Sequence, residues 1–230
     1  MHNNCVNAEN VESDNHLWLQ FWRDQRADFH QTVVNPLLIK FWSSLNLDYG
    51  SRVFVPLCGK SLDMIWLAQQ GHEVIGVELS PVAVRAFFKE NSFKPVKQRI
   101  GKFMLWKCGK ISILCGDYFS LQKSDLGIFD TVYDRAALTA LSENVRRLYV
   151  AQLKIIVLKN TKIFLLTIED SIENVTENST IEIDEEINAL YSGDFEIDLA
   201  YMESVFETDL ESPNSPANRA DYKVYRLSCR

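Results

Sequence analysis

A glycine turn and an acidic residue end two successive apolar runs, and their spacing suits the binding of a nucleoside. Gly59 closes the first run, Arg52-Val-Phe-Val-Pro-Leu-Cys-Gly, and Glu78 ends the second, 19 residues further on (78 − 59). A tight turn lets the backbone approach a ligand, and a carboxylate about 20 residues later takes the ribose hydroxyl groups. The spacing therefore predicts a nucleoside site at the ends of two strands.

The residues around the glycine turn do not match two common motifs for nucleotide binding. A phosphate-binding loop requires a glycine five residues before Gly59, and position 54 is Phe. A dinucleotide fingerprint requires three closely spaced glycines, whereas the next glycine after Gly59 is Gly71. S-adenosylmethionine fits better because it has no phosphate groups, and aromatic faces favour its sulfonium cation. We therefore predict S-adenosyl-L-methionine as the cofactor and no metal.

The elements that must position these residues alternate along the chain between strands and helices. Asn35-Pro36 and Ser80-Pro81 have the order of a cap followed by the first helical residue. Two extended runs without a helix between them end the chain. Strands are predicted at 53–56, 73–77, 103–107, 111–115, 129–133, 162–168, 195–206 and 222–229, and helices at 17–22, 37–45, 62–70, 82–90, 143–158 and 184–190.

This pattern predicts an α/β protein with a doubly wound, mostly parallel sheet in a three-layer α/β/α arrangement. We expect seven strands, with an antiparallel pair at the C-terminal edge, as in Rossmann-like methyltransferases. Residues 1–13 are predicted to be a disordered N-terminal segment and residues 14–230 a single methyltransferase domain. The polar stretch 171–180 is predicted to be a mobile loop.

Several longer motifs of the chain match those of one known family, over roughly residues 16–168. The matching pieces are Trp18-x3-Trp22, Phe29-His30-Gln31, Asn35-Pro36, Val53–Asp63, Trp66-Leu-Ala68, Gly71-His72, Gly76–Ser80, Phe87-Phe88, Gly116–Phe119 and Tyr133–Leu138. With these motifs the chain resembles the thiopurine S-methyltransferases, particularly the bacterial branch. The segments Pro-Leu-Cys-Gly-Lys and Tyr-Asp-Arg-Ala-Ala-Leu are specific to this family.

The resemblance implies a cofactor-binding role for several of these residues. Trp22, with Trp18 on the same helix face, would cover the cofactor, and the backbone of Leu57 would lie against its methionine portion. Glu78 would bind the ribose hydroxyl groups. Packing alone is the alternative interpretation for Trp18, Trp22 and Leu57, whereas an acid directly after a buried strand favours function at Glu78.

The same family pattern extends to the adenine and to the methyl acceptor. Asp117 and Tyr118 would contact the adenine, although a solvent-facing turn explains them equally well. Arg135 would lie where cofactor and acceptor meet, as a cofactor-binding and catalytic residue; its alternative is a surface ion pair with Asp134. Phe29 would line the acceptor site, or would be part of the core.

The implied reaction is methyl transfer to the sulfur of a small aromatic or heterocyclic thiol. Such a thiol is largely ionised near neutral pH, so no strong base is needed and Arg135 would stabilise the thiolate. A methyltransferase for selenium or tellurium anions or for another small metabolite remains open, as does a non-catalytic S-adenosylmethionine-binding protein. The segment 169–178 departs from the family, which has Gly-Pro-Pro-Phe after the fifth strand.

Composition and charge limit the kinds of partner and the compartment that we expect for the protein. The net charge is −7 and the isoelectric point about 5.2, with no basic stripe, which argues against a nucleic-acid partner. Five cysteines without a CxxC pair indicate reduced thiols in a cytoplasmic protein. The polar N-terminus is no signal peptide, and the most apolar stretch, 155–168, is interrupted by two lysines. We expect a cytoplasmic monomer without a membrane span.

Overall fold

A single sheet of nine strands contains every strand of the described residues in the computed structural model, which describes residues 2–26, 30–171, 183–207 and 218–230. The helices are α1 (His2–Arg23), α2 (Pro36–Phe41), α3 (Asp63–Gln69), α4 (Pro81–Glu90), α5 (Lys123–Leu126), α6 (Glu143–Ile156) and α7 (Ile183–Tyr191). The strands are β1 (Arg52–Val55), β2 (Glu73–Glu78), β3 (Val96–Ile100), β4 (Phe103–Cys108), β5 (Ile111–Cys115), β6 (Thr131–Arg135), β7 (Lys162–Ser171), β8 (Phe195–Glu207) and β9 (Asn218–Cys229).

The strand order is β3-β4-β5-β2-β1-β6-β7-β9-β8, which confirms the doubly wound α/β class. The five central strands are parallel, and β9 and β8 form the expected antiparallel pair at the C-terminal edge. The predicted count of seven strands in the sheet is wrong, because all eight predicted extended runs and the further strand β3 join it. The hairpin β3–β4 extends the other edge, and β3 carries the polar, exposed run Val-Lys-Gln-Arg-Ile, which lacks the alternation that marks a half-buried strand.

Helices cover both faces of the sheet, which confirms the three-layer arrangement. Successive side chains of a strand point to opposite faces. Phe54 therefore joins a core cluster with residues of α6 and α7, whereas its neighbours Val53 and Val55 join a second cluster with residues of α2, α3 and α4. Each parallel strand is buried on both faces, as crossover helices require.

The expected disorder of residues 1–13 is wrong for residues 2–13, which lie in α1. Val11 packs against the core cluster on the α6 side, and the Ser142 amide donates to Asp14 Oδ2 at 2.9 Å. Such contacts with the rest of the fold stabilise a helix that its polar sequence does not predict, since most helical stability in proteins comes from tertiary packing. The predicted loop at 171–180 falls, apart from the backbone of Ser171, outside the described residues. The single domain at 14–230 stays a prediction.

Local signals placed most helix ends correctly. Asn35 Oδ1 accepts from the amides of Leu37 and Leu38 at the start of α2, and Ser80 Oγ accepts from the Ala83 amide at the start of α4. A boundary error of two residues matters at one place: the strand predicted at 129–133 runs from Thr131 to Arg135. Arg135 therefore ends β6 instead of following it.

Candidate active site

A cleft lies at the carboxyl ends of the parallel strands, where the order reverses between β1 and β6. Ligands of doubly wound sheets bind at this switch point. About 950 Å³ of space lies between its walls, the part open to solvent included. The lining residues are Asn15, Trp18, Trp22, His30, Leu57, Cys58, Gly59, Lys60, Ser61, Glu78, Leu79, Tyr118, Phe119, Arg135, Ala136, Ala137, Ala140 and Leu141.

The turn after β1 forms the floor of the cleft in a conformation that is rare for side-chain-bearing residues. Leu57 has φ +45° and Gly59 has φ +53°. Positive φ is a genuine outlier for a residue as bulky as leucine, and such strain concentrates at binding sites. The Cys58 amide donates to the Val77 carbonyl at 2.9 Å, which ties the turn to β2. The turn is therefore held in place by the neighbouring strand.

Gly76 in β2 makes room for this turn. A Cβ atom added at Gly76 would lie 2.6 Å from Cys58 Sγ and 3.3 Å from Met64 Sδ. We expect Gly76→Ala to lower the free energy of unfolding by about 1–3 kcal/mol through overpacking. The melting temperature should then fall by about 2–4 °C for each kcal/mol.

Two further variants test this assignment to the Cys58 contact. The double variant Gly76→Ala/Cys58→Ala should recover part of the lost melting temperature. Gly193→Ala is the matched control, because nothing lies within 4 Å of an added Cβ there. An equal loss in Gly193→Ala, or no recovery in the double variant, would contradict the close-approach argument.

The Glu78 carboxylate is buried at the end of β2 and faces the turn. Its Oε2 accepts from the Gly59 amide at 2.9 Å, and its Oε1 accepts from the Ser80 amide at 2.7 Å. Burial raises the pKa of Glu78 to about 7, although the amides of Ser80, Gly59 and Leu79 oppose this rise. An ionised carboxylate has about four acceptor positions. Glu78 therefore keeps acceptor capacity for ligand hydroxyl groups in the cleft.

Two tryptophans of α1 form the opposite wall. Trp22 is buried, and its ring would lie 3.2 Å from a Cβ added at Gly59. Trp18, one turn earlier, packs edge-on against Phe21 with ring centroids 5.5 Å apart. Both tryptophans line the cleft. Both therefore lie at the predicted cofactor site, with Trp22 beside the glycine turn, and their cofactor contact stays a prediction.

Of the two residues predicted to contact the adenine, Tyr118 lines the cleft and Asp117 does not. Tyr118 lines the cleft but is buried; it stacks on Tyr149 at 4.9 Å between centroids and donates to the Tyr149 carbonyl at 3.1 Å. Asp117 lines a neighbouring depression instead, and its carboxylate accepts from the Phe119 amide and the Ser120 hydroxyl. Phe119 lines both spaces, as does Asn15 of α1.

Arg135 lines the cleft at the end of β6. Its acidic partner is a residue that the sequence did not indicate. Its Nε lies 2.9 Å from Asp63 Oδ2, and its Nη2 lies 3.5 Å from Ser61 Oγ. The alternative pairing with Asp134 is wrong. Asp134 is buried and accepts from the Tyr149 hydroxyl at 2.6 Å and the Ala137 amide at 3.1 Å.

Two further basic residues, Lys60 and His30, line the cleft, although the sequence analysis assigned them no role. Lys60 Nζ lies 2.9 Å from the Glu90 carboxylate at the surface. His30 has a lowered pKa, first because of burial and then because of Lys60, so its ring is neutral at pH 7. The sequence could have indicated His30, because it belongs to the family motif Phe29-His30-Gln31. Phe29 itself lies outside the described residues.

Nothing in the described ranges points to a metal or a membrane. No group of three or more His, Cys, Asp or Glu side chains there is arranged to hold a metal ion. Within the same ranges, no helix is long and apolar enough to cross a membrane.

The fold is shared with solved S-adenosylmethionine-dependent methyltransferases. A methyltransferase of this class from Anabaena variabilis is 17% identical, with a TM-score of 0.63 over 94% of this chain and 95% of that one. The 1,6-didemethyltoxoflavin-N1-methyltransferase of Burkholderia thailandensis, solved with bound 1,6-didemethyltoxoflavin and S-adenosylhomocysteine, is 13% identical with a TM-score of 0.57. That alignment covers 99% of this chain and 90% of that one. At these identities the likeness supports the fold.

The family follows from closer relatives: the chain belongs to the thiopurine S-methyltransferase family, whose model matches residues 13–230. A thiopurine S-methyltransferase of Stutzerimonas stutzeri is 55% identical over 95% of this chain and 92% of its own. The one from Bordetella petrii is 39% identical over 93% and 98%. The predicted family, its methyltransferase class and S-adenosylmethionine as cofactor are confirmed. The match also extends well beyond residue 168, where the sequence motifs ended.

Proposed function

We propose that the protein transfers the methyl group of S-adenosylmethionine to the sulfur of a small aromatic or heterocyclic thiol, such as a thiopurine. The observation that carries this proposal is the presence of Glu78 and Arg135 in the same cleft. An acid suited to ribose hydroxyl groups and a guanidinium suited to a thiolate line one cleft at the switch point. Membership of the thiopurine S-methyltransferase family supports the same acceptor.

The cleft residues fit the cofactor. Each carboxylate oxygen of Glu78 accepts one backbone hydrogen bond, and further acceptor positions remain for the hydroxyl groups of a ribose. Leu57 and Gly59 present backbone at positive φ, which lets a ligand approach closely. Trp18 and Trp22 offer aromatic faces to a cation. We assign cofactor contacts to Trp18, Trp22, Leu57, Glu78, Tyr118 and Arg135, with Asp117 acting through the turn that presents Phe119.

Arg135 holds the acceptor in its reactive form. When bound, the cofactor supplies an electrophilic methyl group on a sulfonium. A fixed guanidinium stabilises the anionic sulfur, so the acceptor loses its proton to solvent before transfer. The tryptophans of α1 exclude water, which strengthens that electrostatic interaction. Rate enhancement then comes mainly from positioning the thiolate.

Cofactor binding should depend on pH through Glu78. Its carboxyl group has a pKa of about 7 in the free protein. Ribose hydroxyl groups donate to the ionised form, so binding below pH 7 requires loss of a proton. We expect affinity for S-adenosylhomocysteine to be about tenfold lower at pH 6 than at pH 8 because of this group.

Calorimetry on the native protein and on Glu78→Gln checks this expectation. The ligand's own ionisable groups are the same in both experiments, so the difference between the two pH dependences reports Glu78. Identical pH dependences in the two proteins would show that Glu78 does not release a proton on binding.

Calorimetry with S-adenosylmethionine, followed by turnover with 6-mercaptopurine, thiophenol and selenite, tests the whole proposal. Binding with methylation of the thiols is the expected result. Methylation confined to the selenium anion would assign a different acceptor, and binding without any turnover would indicate a non-catalytic binding protein. Absence of binding would overturn the cofactor assignment.

We further infer a monomer that acts on small molecules in the cytoplasm and does not bind nucleic acid. The net charge of −7 disfavours phosphate-rich partners. Cys58, Cys108, Cys115 and Cys229 are free thiols, which suits a reducing compartment. Light scattering of the purified protein tests the monomer.

A further inference from the structure

The buried carboxylate of Asp63 connects three elements beside the cleft. It begins α3 and is 1% exposed. Its Oδ1 accepts from the Asn35 amide at 2.8 Å, immediately before α2. Its Oδ2 accepts from the Tyr133 hydroxyl at 2.8 Å and lies 2.9 Å from Arg135 Nε. Both partners on β6 therefore converge on one oxygen atom.

We propose that Asp63, held by Tyr133 and the Asn35 amide, is a positioning residue that orients the guanidinium of Arg135 toward the acceptor. This inference rests on the proposed thiolate-stabilising role of Arg135. Asp63 does not line the cleft, so it acts through Arg135 and not on the acceptor itself.

The geometry explains why an aspartate is needed at this position. An arginine side chain has many rotamers, and holding one of them costs entropy unless a partner fixes it. Asp63 Oδ2 pairs ionically with the Nε edge of the guanidinium, where the N–H is not aligned for a hydrogen bond, and Nη2 donates to Ser61 Oγ at 3.5 Å. The guanidinium therefore keeps donors for a ligand while its charge is held in place. Tyr133 and Asn35 in turn fix the carboxylate, because each occupies a defined oxygen. A preorganised donor of this kind does not have to reorient when the anion arrives.

The other face of the same strand provides an internal comparison. Asp134 is also buried and also accepts from a buried tyrosine, Tyr149, at 2.6 Å. Its two carboxylate oxygens accept from Tyr149 and from the Ala137 amide, and neither lies against Arg135. Loss of a tyrosine hydroxyl therefore removes a similar bond in both cases, but only Tyr133 belongs to the Arg135 network.

A double-mutant cycle tests the proposal, with thiophenol as acceptor and kcat/KM as the measured quantity. We expect Asp63→Asn to lower kcat/KM by about 10- to 100-fold, and Tyr133→Phe by less. In the Arg135→Ala background, Asp63→Asn should cost less than about threefold further, because the group it positions is gone. Tyr149→Phe is the matched control and should keep the native kcat/KM.

Two readouts separate positioning from a general loss of structure. Calorimetry should give a dissociation constant for S-adenosylhomocysteine within about threefold of native in Asp63→Asn and Tyr133→Phe. The pH of half-maximal kcat should rise in both Asp63→Asn and Arg135→Ala, because the bound thiol is less readily ionised in each. It should stay unchanged in Tyr149→Phe.

Distinct results would overturn the positioning role and the proposed function. A full Asp63→Asn loss that persists in the Arg135→Ala background would mean that Asp63 acts independently of Arg135. Equal losses in Tyr133→Phe and Tyr149→Phe would assign both tyrosines to packing. If Arg135→Ala alone left turnover unchanged, the thiolate-stabilising role would fail and the positioning role with it. If Asp63→Asn does not fold, the Tyr133→Phe comparison decides.

Discussion

Replacing Glu78 with alanine should weaken S-adenosylmethionine binding by about 100-fold or more. The side chain is buried at the end of β2, and each carboxylate oxygen already accepts one backbone amide. Hydrogen bonds from the two ribose hydroxyl groups to an ionised carboxylate contribute about 1.5–3 kcal/mol each. Every 1.4 kcal/mol corresponds to about tenfold in affinity. The variant also leaves the Gly59 and Ser80 amides without their acceptor, which loosens the turn.

Titration calorimetry with circular dichroism of the free variant checks this result. Glu73→Gln is the matched control, since Glu73 begins the same strand at its opposite, exposed end. Its affinity should equal that of the native protein. Unchanged binding by a folded Glu78→Ala protein would mean that another group takes the ribose.

Replacing Arg135 with alanine should lower kcat/KM for a thiol acceptor by about 10²–10³-fold, the usual loss when one preorganised donor is removed. The effect should exceed the change in cofactor affinity, because the guanidinium develops its main interaction with the anionic sulfur. Removing it also leaves the buried Asp63 carboxylate without its cationic partner, which costs stability. The melting temperature should therefore be measured alongside the kinetics.

Arg135→Lys distinguishes charge from geometry. Lysine keeps the charge but cannot contact Asp63 through an Nε edge and still present a planar fork to the cleft. We expect intermediate activity, closer to that of the alanine variant. Arg52→Ala, at the opposite end of the sheet, should be fully active. Normal turnover of a thiol by Arg135→Ala with intact cofactor binding would exclude the thiolate-stabilising role.

Local sequence patterns were sufficient for most of the fold. The β1–turn–α3–β2 unit, the two proline-headed helices and the hairpin 103–115 lie where the pattern placed them. Each is specified by neighbouring residues: caps, turn glycines and alternating apolar positions. The failures were at edges. β3 and the start of α1 are polar, and their structure depends on an adjacent strand or on α6.

The candidate site was predictable to the extent that its residues end strands. Leu57, Glu78 and Arg135 line one cleft because the carboxyl ends of parallel strands meet there, whereas Trp18 and Trp22 reach it from α1. Asp117 was expected in the same place, but the 3-10 turn at Tyr118–Ser120 uses its carboxylate as a cap and directs it to the neighbouring depression.

The sequence by itself determined the fold class and the family and predicted Glu78 as the ribose-binding acid, because spacing along the chain encodes strand, turn and strand in order. Only the tertiary structure decided what surrounds Arg135. Tyr133 and Asp63 are 70 residues apart in the chain, yet they meet beside the guanidinium. Their contact depends on the pairing of β1 with β6 and on the packing of α2 and α3 against that face. Local spacing carries no record of such long-range pairing.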